Sequence, residues 1–116
     1  MRVCRVIAVD FDGTLVSGGR WPAVGEPNVE LIAQLKVCKA MGNKLILWTC
    51  RSGEALDVAV AWAAEQGLVF DAVNDNLPEV IVAYGHNSRK ISCDYYIDDK
   101  GVLPEHFLSV AAGAME

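Results

Sequence analysis

At 116 residues the chain has the length of one domain of ordinary size, and it is read as a single unit over residues 1–116. It is 53% hydrophobic with a mean hydropathy of +0.25, enough to fill a compact core and too apolar for a disordered segment. Ten Lys+Arg against 15 Asp+Glu give a net charge of −5, which argues against broad adhesion to nucleic acid or an anionic membrane.

Residues 3–9 (VCRVIAV) are apolar and β-branched enough for a buried strand, and the run stops at Asp10, too short for a signal peptide. No stretch approaches membrane-spanning length, and a cytoplasmic address is expected. Residues 10–28 hold four glycines and two prolines that break regular structure, with Ser17-Gly18-Gly19-Arg20 positioned to turn a small hairpin. Asn28 reads as the N-cap of a helix ending at Gly42. Residues 44–48 (KLILW) make a second strand, and Ser52 is placed to cap a helix through Gln66, with Gly67 beyond it. Residues 68–73 read as a third strand, and 77–89 as either a short helix or an extended piece. Residues 93–97 read as a fourth strand, and a last helix runs from Pro104 through Val110. The alternation predicts an α/β fold: a Rossmann-like parallel sheet with helices on both faces.

Cys4, Cys38, Cys50 and Cys93 form no C-x-x-C pair and read as reduced thiols, mostly small core residues; Trp48 and Trp62 also read as core. The helix over 54–66 keeps Glu54, Asp57 and Glu65 on one narrow stripe. The remaining apolar belt is expected to meet either the neighbouring helix or a second copy of the chain, with Val60 and Trp62 on the side that a homo-oligomer would use.

In parallel sheets ligands gather outside the carboxyl ends of the strands. The first strand is followed by Asp10, the second by Thr49 and the fourth by Asp98-Asp99, so parallel pairing brings these groups to one edge. Asp12 lies two residues beyond Asp10, and Gly13 permits a sharp turn after it. Carboxylates crowded in this way disfavour one another's ionised form, and a hard divalent cation such as Mg²⁺ resolves the conflict. Arg51 follows Thr49 at a helix start, where a phosphate group can bind. Lys90 adds a positive charge where its loop folds back over the site.

Asp10-Phe11-Asp12-Gly13-Thr14 resembles the DxDGT motif of the haloacid dehalogenase superfamily of phosphotransferases, and Thr49, Lys90 and Asp98-Asp99 resemble its remaining motifs in order. The resemblance implies a phosphatase in which Asp10 is the nucleophile and Asp12 the general acid and base. It implies that Thr49 and Lys90 hold the transferring phosphoryl group. It also implies Mg²⁺ on the Asp10 carboxylate, the Asp12 carbonyl and Asp98, with Asp99 ligating directly or through water. Neither insertion point has room for a cap domain, so the chain resembles the capless branch, whose open sites suit large substrates or are covered by another subunit. The expected partner is a phosphorylated substrate of open class, with polynucleotide ends disfavoured by charge. The alternatives are a phosphoacceptor receiver domain and a catalytically idle binding module of the same fold.

Overall fold

A computed structural model describes residues 4–108. Its main sheet holds four parallel strands, β1 (Val6–Val9), β4 (Lys44–Leu47), β5 (Ala72–Val73) and β6 (Tyr95–Ile97), in the order β5-β4-β1-β6. Two short strands, β2 (Val16–Ser17) and β3 (Glu26–Pro27), pair antiparallel as a hairpin between β1 and helix α1 (Val29–Ala40). Helix α2 (Gly53–Glu65) links β4 to β5, and α3 (Pro78–Tyr84) lies between β5 and β6.

Apart from Lys44 at the start of β4, the central strands are apolar because both of their faces are covered. Ile7, Val9, Leu45 and Leu47 face Ile32 and Leu35 of α1 and Ala59 and Ala63 of α2. Ala8 and Ile46 face the other way, toward Leu77, Val80 and Ile91 around α3. This is the expected α/β Rossmann-like sheet with helices on both faces. Counted along the main sheet, the strand order is 3-2-1-4, as in Rossmann folds; the flavodoxin-like order shared by receiver domains is 2-1-3-4-5. The chain steps outward from β1 to β4 to β5, then returns to the far side of β1. The switch point therefore falls between the carboxyl ends of β1 and β6, which is where Asp10 and Asp98 emerge.

Asn28 caps α1 by accepting a hydrogen bond from the Leu31 N–H at 3.2 Å, and Gly42 follows the helix at φ +95°. Ser52 precedes α2 but makes no side-chain cap. The third strand is shorter than its apolar run predicts. Asp71 accepts the Leu45 N–H at 2.8 Å with its carboxylate, a side chain taking the place of a ladder partner, and only Ala72 and Val73 pair regularly. The ambiguous segment after it is helical from Pro78 and stops at Gly85, whose φ of +76° suits a residue without a side chain. Residues 104–108 are helical, and the predicted end of that helix at Val110 lies outside the described residues, as does Val3 of the first predicted strand. Among the described residues no helix is long and apolar enough to cross a membrane.

Trp62 and Val60 do not stand on the outer side of α2. Both pack against the core, and the Trp62 ring meets Phe11 edge-on at 5.8 Å between centroids. Val58 is the large apolar residue that α2 exposes.

Candidate active site

The ends of β1, β4 and β6 are brought level by their register. Val9 pairs with Leu47 on one side and Ile97 on the other, so Asp10, Trp48 and Asp98 leave the sheet side by side. The Asp10 N–H donates to the Ile97 carbonyl at 2.9 Å, and the Trp48 N–H to the Val9 carbonyl at 2.9 Å. Beyond them opens a cavity of about 620 Å³ lined by Asp10, Asp12, Thr49, Asp98 and Asp99, and by Trp21, Trp48, Cys50 and Lys100.

One carboxylate oxygen from each of Asp10, Asp98 and Asp99 lies within 4.8 Å of the other two. Asp10 is half-buried, and burial raises its pKa; the Asp98, Asp99 and Asp12 charges push the same way, against the Phe11 N–H bonded to its carboxylate. Gly13 explains how Asp99 comes so close. Its φ is +85°, and a Cβ there would fall 2.4 Å from Asp99 Oδ2. The turn after the motif needs glycine for its conformation and for the space the carboxylate occupies.

The Asp12 carboxylate is not part of this trio. It is gripped by Arg51, with Nε donating to Oδ2 at 2.8 Å and Nη2 to Oδ1 at 2.9 Å. Arg51 also donates through Nη1 to the Pro22 and Ala55 carbonyls at 2.8 and 3.0 Å, and through Nη2 to the Ala23 carbonyl at 3.4 Å. A guanidinium has five N–H donors, and all are used within the chain. Arg51 is 1% exposed, packed between the rings of Phe11 and Trp21 with its central carbon 4.9 and 4.7 Å from their centroids. A substrate-binding role read from its place at a helix start is therefore corrected: the residue is a buried strut that orients Asp12.

Thr49 is half-buried at the cavity, and its hydroxyl oxygen accepts the Arg51 N–H at 3.1 Å, leaving the hydroxyl proton to be donated. Asn74 holds this loop from the end of β5, accepting the Thr49 N–H at 2.8 Å and donating to the Arg51 carbonyl at 3.3 Å. Asn74 itself has φ +51°. It ends its strand as Asp10, Thr49 and Asp98 end theirs, and that position was the available signal for it.

Lys90 is not brought to the trio. Its ammonium lies 5.8 Å from the centroid of the Tyr96 ring, and no ion pair joins it to Asp10 among the described residues. The lysine that lines the cavity is Lys100, one residue past the acidic pair, whose N–H donates to Asp98 Oδ1 at 2.8 Å. Cys50 and Trp48, expected in the core, are both exposed at the cavity. The pleat carries Ile46 toward α3 and Trp48 beyond the last covering residue. All four cysteines are free thiols.

Fold and site together define an α/β protein of Rossmann-like architecture with an acidic cavity at its topological switch point. No family model and no curated protein matches the sequence. A solved structure of a conserved protein from Bacteroides thetaiotaomicron is 38% identical over 92% of this chain and 87% of that one, with a TM-score of 0.75. The chain belongs to the family of that conserved Bacteroides protein.

Proposed function

We propose that the chain is a Mg²⁺-dependent phosphatase of the haloacid dehalogenase type, hydrolysing a phosphomonoester through an aspartyl-phosphate on Asp10. The observation that supports it best is the cluster at the switch point: a half-buried Asp10, one of its oxygens within 4.8 Å of an oxygen of Asp98 and one of Asp99, with Thr49 and Asp12 in the same cavity. Hard oxygen donors packed this closely fit a divalent cation, and the space that Gly13 leaves for Asp99 fits it too. Asp10, Asp98 and Asp99 would hold the ion by their side chains and Asp12 by its carbonyl. Bound there, the cation supplies the positive charge that lets an anionic substrate approach carboxylates.

In this reading an Asp10 oxygen attacks phosphorus while the bond to the leaving oxygen breaks, and the Asp12 carboxyl gives that oxygen a proton, which requires Asp12 to be protonated and to turn one oxygen from the Arg51 fork toward the cavity. Water then attacks the phosphoryl group and gives a proton to Asp12 while the bond between Asp10 and phosphorus breaks, so inorganic phosphate leaves with Asp10 restored. Thr49 donates its hydroxyl proton to a phosphoryl oxygen, and Lys100 adds a point charge at the rim. The role expected of Lys90 requires its ammonium to move from the Tyr96 ring to Asp10. A receiver-type reading has less support, because the strand order is the Rossmann one.

Phosphate release from a panel of phosphomonoesters tests the proposal. Turnover is expected with Mg²⁺, none after chelation, and none with a folded Asp10→Asn variant. Full turnover by Asp10→Asn sinks the mechanism; metal binding without turnover of any ester favours the idle binding module.

A further inference from the structure

Trp21 stands in the hairpin loop with 62% of its surface exposed, yet its ring is held in place. The Arg51 guanidinium lies 4.7 Å from the indole centroid and also binds the carbonyls of the next two residues, Pro22 and Ala23. The hairpin that carries it closes tightly: a Cβ on Gly25 would meet the Ser17 carbonyl at 2.3 Å. One part of the indole is thus fastened to a buried cation, while most of its surface is left open. That open surface lines the same cavity as Asp10, Asp12 and Thr49, and Trp48 lines it as well.

We propose that Trp21 is the leaving-group platform of the site, on which a flat unsaturated ring carried by the phosphate ester stacks. The inference rests on the phosphatase reading and adds the substrate class to it. Fixing an indole in advance removes the ordering cost that an exposed side chain otherwise meets on binding. Its π face favours a planar ring over a saturated group of equal size, and stacking of this kind is worth about tenfold or more in affinity. Arg51 is then a positioning residue twice over, since one guanidinium orients both Asp12 and the platform. A nucleobase and a simple aryl group share the required chemistry.

Two matched pairs of esters test this with Mg²⁺ present. Benzyl phosphate against cyclohexylmethyl phosphate, and adenosine 5′-monophosphate against ribose 5-phosphate, each differ in the flat ring while keeping a similar leaving oxygen. The wild type is expected to favour the ring-bearing member of at least one pair by about tenfold, mainly through KM. Preference in the second pair alone points to a nucleobase. Trp21→Phe should retain most of the preference, and Trp21→Leu should bring the ratio close to one. Absence of ring preference in the wild type, or a wild-type ratio in Trp21→Leu, overturns the platform; the first comparison needs no variant to fold. Phosphate release from none of the four esters, nor from the wider panel, fails the phosphatase reading and the platform with it. Release without ring preference fails the platform alone.

Discussion

Arg51 and Asp12 are joined by two parallel N–H···O bonds of 2.8 and 2.9 Å, a forked pair in which the arginine is buried and the Asp12 side chain 45% exposed. The remaining donors of Arg51 reach the hairpin at Pro22 and Ala23 and the first turn of α2 at Ala55. One side chain therefore connects the turn after β1, the hairpin that walls the cavity, and the start of the helix after β4. A guanidinium this deep is tolerated because no N–H is left without an acceptor.

Arg51→Met is expected to lower the unfolding free energy by about 3 kcal/mol, the lower end of the range for breaking a buried pair, because Asp12 can regain water. Arg51→Lys should recover only part of this, since an ammonium cannot reproduce the fork or the flat stack between two rings. The urea midpoint reports the change; a midpoint unmoved in both variants contradicts the strut.

The Asp10 pKa stands above its ordinary value through burial and then through Asp98, Asp99 and Asp12. For a carboxyl raised in the folded state, the native form holds its proton more tightly than the unfolded chain does. Its contribution to stability therefore falls as pH rises from the ordinary value of 3.8 through the raised one, and stays unfavourable above it. Asp10→Asn removes the charge, so in a chelator at neutral pH the variant should melt above the wild type. The difference should shrink as the pH is lowered into the carboxylate range. Added Mg²⁺ should raise the melting temperature of the wild type more than that of the variant. A wild type that outlasts Asp10→Asn in chelator refutes the reading of the site as electrostatically frustrated.

Gly13→Ala should act on the acidic trio without changing a charged group. Its Cβ would require Asp99 to move away from a 2.4 Å contact, and φ +85° adds strain of about 1–2 kcal/mol. Denaturation in chelator should show a loss of about 2 kcal/mol or more. Calorimetric titration with Mg²⁺ should show weaker binding than in wild type, and unchanged affinity would show that Asp99 takes no part in holding the ion.

The strand ends were legible because they depend on local signals. An apolar run without alternation marks a strand covered on both faces, and the residue after it lands at the carboxyl edge; Asp10, Thr49 and Asp98 follow from that rule. Contacts made across the chain were not legible. Arg51 meets Asp12 and Pro22 over separations of 39 and 29 residues, and nothing in its neighbours announces a buried strut. The same holds for the loop that carries Lys90. Asn76 donates to Asn87 Oδ1 at 2.8 Å and to the Ser88 carbonyl at 3.0 Å, and it accepts the Ser92 N–H at 2.7 Å. Those bonds set the loop's path on the α3 side of the sheet. Helix periodicity marks α2 as apolar on most of its circumference but not which part meets the sheet: Trp62 lies against the core, as read from its size, while the oligomer-facing side expected of Val60 and Trp62 is not theirs.

That helix supplies the last prediction. Trp62 meets Phe11 at an interplanar angle of 83°, the edge-to-face arrangement aromatic rings prefer. Phe11 is fully buried between Asp10 and Asp12, with the Arg51 cation over its ring at 4.9 Å. Removing the indole leaves a gap beside the Phe11 ring, which lies between the two aspartates of the motif in the chain. Trp62→Ala should therefore cost about 3 kcal/mol and lower any turnover that the folded fraction retains. Val58→Ala, on the exposed side of the same helix, should change stability by less than about 0.5 kcal/mol. Self-association through α2 is accordingly tested at Val58. If sedimentation finds a dimer, Val58→Glu should dissociate an interface on this helix, and a dimer indifferent to it lies elsewhere. Equal losses of stability in Trp62→Ala and Val58→Ala would contradict the packing of α2 described above.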